Sequence, residues 1–255
     1  MNELDDPGRG SALAEIIQQK PTLKRLYLEV YARYAELISR CPDGGPSVEL
    51  GAGAGFVRQV IPEMTTADIL PYSTVDLVFD ACHMPFANNS VRCFCMLNVF
   101  HHIPDVNAFL EECQRCLKPG GRVLIVDQFP GWLSRWILRY AHHEPFHPEA
   151  AEWSFPSSGP LSGANGALAW IVFVRDRLLF EQRFPQLHMQ QLRPHTPLRY
   201  WLSGGLKSWT LIPAPLWKAA CGIDQLLLSC SPNWGSFMDV ELVKPAAETQ
   251  SVQKS

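Results

Sequence analysis

The sequence predicts an α/β fold, a mostly parallel β-sheet with helices on both faces. Between residues 46 and 128, short apolar strands alternate with segments of helical periodicity, which is the rhythm of a covered parallel sheet. Gly51, Gly53 and Gly55 follow the first of these strands, and polar residues recur where later strands end. Because ligands bind beyond the carboxyl ends of parallel strands, we expect the functional site at that edge of the sheet.

Length, charge and cysteine usage narrow the class of protein. A chain of 255 residues can bury one sizeable core, so we predict a single domain over residues 1–255. The formal charge of only −3 indicates no nucleic-acid partner. The eight cysteines lack zinc-ligand spacing and are predicted to be reduced, mostly buried thiols. No signal-peptide pattern and no apolar run of ~20 residues occurs, so we expect a cytoplasmic protein without a transmembrane segment.

The periodicity predicts the elements in order. An N-terminal helix begins after Pro21, with Thr22 as its N-cap, and ends before Pro42. The segment 57–61 has the pattern of the first turns of a helix behind the glycine loop. Strands are predicted at 48–50, 65–69, 75–79, 91–99, 122–127, 187–192 and 237–243, and further helices at 107–117, 131–143, 167–184 and 215–230, the last weakened at Gly222.

The glycine loop has the features of a small-molecule cradle. Glycine is required where the backbone takes a positive φ or where a ligand touches bare main chain. A helix behind the loop presents free N–H groups and the positive end of its dipole, which suits a nucleoside with an anionic group. Glycine loops also serve as plain turns, and the loop alone leaves that alternative open.

Polar residues at several strand ends strengthen the prediction of a ligand site. Besides Gly51, the residues at or near these ends are Asp68, Asp80, Asn98 and Asp127. Their convergence on one edge of a parallel sheet is stronger evidence than any single motif.

Four short stretches between residues 46 and 128 carry motifs in a characteristic order. They are Val48–Gly55, Asp80–Phe86, Leu97–Ile103 and Leu117–Arg122. In these stretches the chain resembles the class I S-adenosylmethionine-dependent methyltransferases of the small-molecule type. The resemblance implies a Rossmann-like sheet of seven strands, with a lid insertion after strand 5. It divides the chain into an N-terminal helical segment (1–45), a cofactor-binding core (46–128), a lid with sheet completion (129–245) and a polar tail (246–255).

The resemblance also implies which residues bind S-adenosylmethionine. The loop of Gly51, Ala52, Gly53 and Gly55 would approach the methionine part of the cofactor. Glu49 would support this loop and the methionine amino group.

The other implied cofactor contacts come from later strand ends. Asp68 would accept from both ribose hydroxyls, since a carboxylate offers two acceptors to a vicinal diol. Asp80 would accept from the adenine amino group, with Ala81 beside it, and Asn98 would lie next to the methionine moiety. An alternative for Asp68 is that it is a turn aspartate.

Histidines and a glutamate are the candidates for handling the acceptor's proton. The resemblance implies that His101 and His102 face the substrate entrance. Within the cluster from His142 to His147, His143 and Glu144 join His102 as candidate bases. We predict no metal site, because Pro145 prevents a helix from holding His143 and His147 one turn apart.

The segment after residue 128 is rich in aromatic residues. The predicted helix 131–143 carries Trp132, Trp136 and Tyr140 together with two arginines. It is either a core-facing helix, which we favour, or a surface helix that touches lipid or covers a greasy substrate. A lid from 129–166 and 195–214 with this composition suggests an acceptor with a large apolar or planar surface.

These observations predict methyl transfer from S-adenosylmethionine to a small hydrophobic or lipid-like acceptor, with peripheral membrane contact left open. One alternative is a non-catalytic binding protein that keeps the cofactor fold as a scaffold. Another is a nicotinamide-dependent oxidoreductase, whose fingerprint requires glycine at position 56, where this chain has Phe56.

Overall fold

Seven strands form one sheet in the computed structural model, which describes residues 9–156, 159 and 163–246. Their order across the sheet is β3-β2-β1-β4-β5-β7-β6. β1 to β5 run parallel to one another, and β7 runs antiparallel to both β5 and β6. The strands are β1 (Ser47–Leu50), β2 (Thr65–Asp68), β3 (Leu77–Val78), β4 (Val91–Leu97), β5 (Leu117–Gln128), β6 (His188–His195) and β7 (Phe237–Val243). This confirms the seven-stranded, mostly parallel sheet.

The helices precede, connect and follow these strands. They are α1 (Arg9–Gln19), α2 (Pro21–Ser39), α3 (Val106–Cys116), α4 (Trp132–Tyr140), α5 (Leu168–Trp170), α6 (Arg177–Arg183), α7 (Arg199–Ser203) and α8 (Trp217–Cys230), with a π-helical turn at Ile171–Arg175. Thus the insertion between β5 and β6 holds α4 to α6. None of the helices in the described ranges is long and apolar enough to cross a membrane.

The central strands bury both of their faces, because their side chains alternate between two cores. Phe94 and Met96 of β4 belong to the core that includes α3 and the helices of the insertion. Cys93 and Cys95, which alternate with them, belong to the core under α2 and α8. All eight cysteines are in the described part of the chain and are free, as predicted.

The structure corrects two helix predictions near the N-terminal half of the sheet. The segment 57–61 is only a 3₁₀ turn, Val57–Gln59, because Pro62 disfavours helical backbone at the residue before it. No helix dipole therefore points at the glycine loop. In addition, α2 begins at Pro21, so Thr22 lies buried inside the helix instead of capping it.

Two further elements differ from their predictions for reasons that the backbone hydrogen bonds show. β5 begins at Leu117, because Gly120 and Gly121 exchange backbone hydrogen bonds with Lys244 and so extend the sheet. The predicted helix 167–184 is interrupted where the Asp176 N–H donates to the Ile171 carbonyl, which is a π-type bond.

The last predicted helix is continuous through Gly222. An added Cβ at this glycine would meet nothing within 4 Å, so no packing demand breaks α8 there. Except for residue 246, the predicted polar tail lies outside the described residues.

Candidate active site

The glycine loop lies between the ends of β1 and β2 in a conformation that glycine favours. Gly51 and Gly53 have φ angles of 67° and 45°. A Cβ on Gly51 would meet Val99 Cγ2 at 2.3 Å, whereas a Cβ on Gly53 would meet nothing closer than 3.7 Å. Of these two glycines, only Gly53 could therefore take a Cβ without a clash, with Asp68 Oδ2 at ordinary contact distance.

Gly55 has a different function in the loop. A Cβ there would meet Tyr31 Oη at 2.8 Å, and that hydroxyl accepts a hydrogen bond from the Phe56 N–H at 3.0 Å. Gly55 is thus required by packing against α2, and no ligand is needed to explain it. Ala52 is buried and fixes the loop through its N–H, which donates to the Ala67 carbonyl at 3.0 Å.

Two buried oxygens beside this loop have no partner among the described residues. They are Glu49 Oε2 at the end of β1 and Asn98 Oδ1 just after β4. Burial raises the pKa of Glu49 to about 8, with the charge of Asp68 adding to the effect. Since an unpaired buried polar atom costs about 1–3 kcal/mol, this pair of acceptors fits an external donor such as an ammonium group.

Asp68 and Asp80 lie at the same edge of the sheet. Asp68 accepts backbone N–H bonds from Gly53 and Leu70, each at 3.0 Å, and burial nevertheless raises its pKa. Asp80 Oδ1 accepts from the Cys82 N–H at 2.8 Å, and its carboxylate is partly exposed. Ala81 packs next to it against the core. Both carboxylates keep lone pairs free for a ligand.

An open apolar cleft adjoins Asn98. It lies between α2 and the segments around β6 and β7, so its walls come from both halves of the chain. The apolar and aromatic residues of its lining are Leu23, Leu26, Tyr27, Val30, Leu97, Val126, Tyr200 and Phe237. Tyr200 lies within the predicted lid 195–214, but neither Tyr200 nor Phe237 was predicted to line a cleft with α2, because no local pattern indicates contact with a helix more than 160 positions earlier.

A histidine–glutamate cluster, defined as His101, His102, His142, His143 and Glu144, lies beyond the ends of β4 and β5. Glu144 is at its centre, with carboxylate oxygens 3.3 Å from His101 Nε2, 3.5 Å from His102 Nε2, 3.6 Å from His142 Nδ1 and 3.8 Å from His143 Nε2. The structure therefore brings together the three candidate bases that the sequence predicts.

Asp127 at the end of β5 is the outer partner of this cluster. Its Oδ1 lies 2.7 Å from His101 Nδ1. Burial lowers the pKa of His101, but Asp127 and Glu144 outweigh it and raise the pKa to about 10. The same histidines, His101 and His102, overcome burial and hold the pKa of Glu144 well below its ordinary range. His142 has its pKa lowered to about 4, mainly by burial.

Two interpretations from the sequence are wrong. His101 does not face a substrate entrance, because it is only 1% exposed and is paired with Asp127 beneath the cluster. The helix α4 is not core-facing along its aromatic stripe. Trp132, Trp136 and Tyr140 are 57%, 60% and 68% exposed, since the helix buries its opposite side.

Comparison with known proteins connects this geometry to a family. A family model described as a methyltransferase domain matches residues 48–125. A highly reducing polyketide synthase of Purpureocillium lilacinum is 26% identical over 112 residues, covering 40% of this chain and 4% of that protein. The chain spans about 4% of the length of the curated relatives it matches.

One solved structure shows the same fold. Phosphoethanolamine N-methyltransferase 2 of Haemonchus contortus, in complex with S-adenosyl-L-methionine, has a TM-score of 0.52 at 16% identity, covering 96% of this chain and 58% of that chain. A SAM-dependent methyltransferase from Aquifex aeolicus has a TM-score of 0.47 at 15% identity, covering 94% and 98% of the two chains.

Proposed function

We propose that the chain is a class I S-adenosylmethionine-dependent methyltransferase and that it methylates a small acceptor with a large apolar surface; the support is the methyltransferase-domain match of residues 48–125 and the seven-stranded fold. The observation that carries the proposal is the pair of unpartnered buried oxygens, Glu49 Oε2 and Asn98 Oδ1, between the glycine loop and the apolar cleft. These acceptors are placed to receive the ammonium group of the cofactor's methionine part.

The remaining cofactor contacts follow along the strand ends. We propose that Asp68 binds the ribose hydroxyls and that Asp80, beside Ala81, accepts from the adenine amino group. The Phe79 N–H donates to the Asp68 carbonyl at 3.0 Å, which fixes the spacing of the two carboxylate-bearing segments. Gly53, which has no atom within 3.7 Å of an added Cβ, leaves room for the ligand between them.

The cofactor, when bound, supplies a methyl group that is already electrophilic on its sulfonium sulfur. The chain's own task is therefore to bind and orient the acceptor. The aromatic and aliphatic walls of the cleft remove the apolar part of an acceptor from water, at about 25 cal/mol per Å² of buried area. Glu29, Arg33 and His195 also line the cleft and provide polar contacts at its far wall.

We propose that a residue of the histidine–glutamate cluster removes the proton from the acceptor. Among the three candidates, Glu144 is the weakest base, because its lowered pKa keeps it unprotonated and poorly basic. His102 and His143 are the better candidates for the base. His143 is the most exposed residue of the cluster, and its Nε2 lies 3.8 Å from a Glu144 oxygen.

We also propose that α4 contacts membrane lipid at the surface, which would give the cleft access to a lipid-like acceptor. The support is the exposed stripe of Trp132, Trp136 and Tyr140, with Arg135 and Arg139 between them. Aromatic rings beside basic residues are typical of interfacial helices on anionic lipid.

Calorimetric titration with S-adenosylmethionine, S-adenosylhomocysteine and NAD tests the proposal, using wild-type protein and Asp80→Ala. We expect both adenosyl ligands to bind and the variant to bind them five- to hundred-fold more weakly, from a loss of about 1–3 kcal/mol. No adenosyl binding by folded protein would contradict the proposal. Preferential NAD binding would favour an oxidoreductase, and cofactor binding without turnover of any acceptor would favour a scaffold.

A further inference from the structure

His101 Nε2 is a buried polar atom without a hydrogen-bond partner among the described residues. The residue is 1% exposed, so no bulk water satisfies this nitrogen. It faces the cluster, where His101, His102 and Glu144 each bring one potential ligand atom within 4.8 Å of the others. Glu144 Oε2 lies 3.3 Å away, but the contact does not have the geometry of a hydrogen bond, so this buried nitrogen is poorly satisfied by the protein alone.

The other nitrogens of both histidines are already committed. His101 Nδ1 donates to Asp127 Oδ1 at 2.7 Å, and His102 Nδ1 donates to the Gly163 carbonyl at 3.1 Å, since a carbonyl only accepts. These bonds orient both rings so that Nε2 points at Glu144. Metal-binding histidines characteristically have such a carboxylate or carbonyl partner on the second nitrogen.

Glu144 is held in a matching way. Gln128 Nε2 donates to its Oε2 at 3.2 Å. His142 is not a further ligand, because its Nδ1 accepts the Glu144 backbone N–H at 3.3 Å. Each of the three inward-facing groups thus has its own outer partner.

Distances distinguish a metal site from an ordinary ion pair. A charge-assisted N–H···O bond is about 2.7–2.9 Å long, as for His101 and Asp127. The two Nε2 atoms instead lie 3.3 and 3.5 Å from the Glu144 oxygens. Ligands about 2.0–2.1 Å from a tetrahedral zinc ion are about 3.3 Å apart, which is close to both separations.

We propose that His101 Nε2, His102 Nε2 and the Glu144 carboxylate bind a divalent transition-metal ion, with zinc as the best-fitting member of that class. Two imidazoles and a carboxylate leave one coordination position open for water or an acceptor oxygen. Resting on the proposed methyl transfer, the further consequence is that the ion binds the acceptor's hydroxyl and lowers its pKa, so that its proton is lost more readily. His102 is then a ligand, and His143 is left to take up the proton.

Metal binding can be measured without any acceptor. The full chain is stripped with a chelator and titrated calorimetrically with Zn²⁺, and Co²⁺ binding is followed by its visible absorption. The variants are His102→Gln and Glu144→Gln, both at half-buried positions, with folding checked by circular dichroism. His188→Gln is the matched control, because exposed His188 pairs with Val243 at the opposite end of the sheet from Asp127.

We expect one-to-one binding by wild type and by His188→Gln, and at least ten-fold weaker binding by each cluster variant. Losing even an outer partner typically weakens a metal site 10- to 100-fold. Absence of saturable binding by the wild type, or unchanged affinity in a folded cluster variant, would overturn the proposal. A parallel titration with S-adenosylmethionine separates the two proposals, since a methyltransferase without this metal still binds the cofactor.

Discussion

Asp68 Oδ2 accepts a hydrogen bond from the backbone N–H of Gly53 at 3.0 Å, which ties the end of β2 directly to the glycine loop. The other carboxylate oxygen accepts from the Leu70 N–H. Asp68 therefore shapes the loop in addition to offering lone pairs to a ligand. The bond from Leu70 is the local bond of a turn aspartate, whereas the bond from Gly53 links Asp68 to the glycine loop. Asp68 is therefore more than a turn residue.

Replacing Asp68 with alanine should affect both binding and stability. We expect Asp68→Ala to weaken S-adenosylmethionine binding five- to hundred-fold, because a hydrogen bond donated to a buried carboxylate contributes about 1–3 kcal/mol. Calorimetry measures the affinity, and urea unfolding measures the accompanying loss of stability. Glu63→Ala, at an exposed acidic residue, is the control and should leave both unchanged. Unaltered affinity in folded Asp68→Ala would remove Asp68 from the cofactor site.

The two loop glycines should respond differently to substitution. Gly51→Ala places a Cβ 2.3 Å from Val99 Cγ2, so we expect a clear loss of thermal stability. Gly53→Val meets no close atom near its Cβ, and its main cost is the positive φ, of order 1–2 kcal/mol. The Gly53 variant should therefore fold but bind S-adenosylmethionine poorly, since its side chain fills the space left for the ligand.

Differential scanning calorimetry and ligand titration on both glycine variants check this contrast. If Gly53→Val bound the cofactor as tightly as wild type, the open side of Gly53 would not face the ligand. Equal stability of Gly51→Ala and wild type would show that Val99 can move away.

The sheet was predictable from the sequence because its signals are local. β7 has the predicted bounds, Phe237–Val243, since an apolar run between turn residues needs no tertiary information. The secondary-structure predictions were wrong where neighbouring residues or contacts with distant parts of the chain override the local pattern. Residues 57–61 have helical spacing but are followed by Pro62. Residues 117–121 join β5 because Leu117 pairs with Val91 and because Lys244, from the other end of the chain, exchanges hydrogen bonds with Gly120 and Gly121.

The sequence predicts that the site residues lie at strand ends, but it does not predict which of them contact one another. Glu49 and Asn98 follow from motif and position, whereas their orphaned oxygens are visible only in three dimensions. His101 and Asp127 are separated by 26 positions, and nothing local in the sequence pairs them. The prediction of no metal site weighed only the segment from His142 to His147 and stays a prediction, whereas the structure also places His101 and His102 beside Glu144.

Acid should weaken the contact between α2 and β7. Asp239 accepts from Arg33 at 2.6 Å and from Arg193 at 2.7 Å, and its Oδ1 lies 3.0 Å from His195 Nε2. Burial raises the pKa of Asp239, but His195 and the two arginines outweigh it, so the pKa lies well below the ordinary value. A folded-state pKa below the unfolded value of about 3.9 stabilises the protein above that pH, and this contribution is lost as the pH falls toward the folded pKa.

Urea unfolding of wild type and Asp239→Asn at pH 7 and pH 3 measures this contribution. At pH 7 the variant should be less stable by on the order of 3 kcal/mol, the cost of breaking a buried ion pair. The difference should shrink by about 1 kcal/mol at pH 3, because the unfolded aspartate is then mostly protonated. Asp43→Asn, at an exposed turn, should show no such pH-dependent difference. A constant difference for Asp239→Asn would contradict the lowered pKa.

The exposed stripe of α4 predicts binding to anionic lipid. Trp132 and Trp136 are more than half exposed, and burying one such ring in a lipid interface should contribute about 1.5–3 kcal/mol. We expect wild-type protein to sediment with phosphatidylserine-containing vesicles. We expect Trp136→Ser to bind these vesicles with at least ten-fold lower affinity. Leu178→Ser is the control, because Leu178 is an exposed apolar residue on α6, outside the stripe.

Added salt should weaken binding to the vesicles, since Arg135 and Arg139 would face the anionic lipid. Wild-type protein that stayed in the supernatant, or equal losses in both variants, would show that the stripe meets something other than lipid.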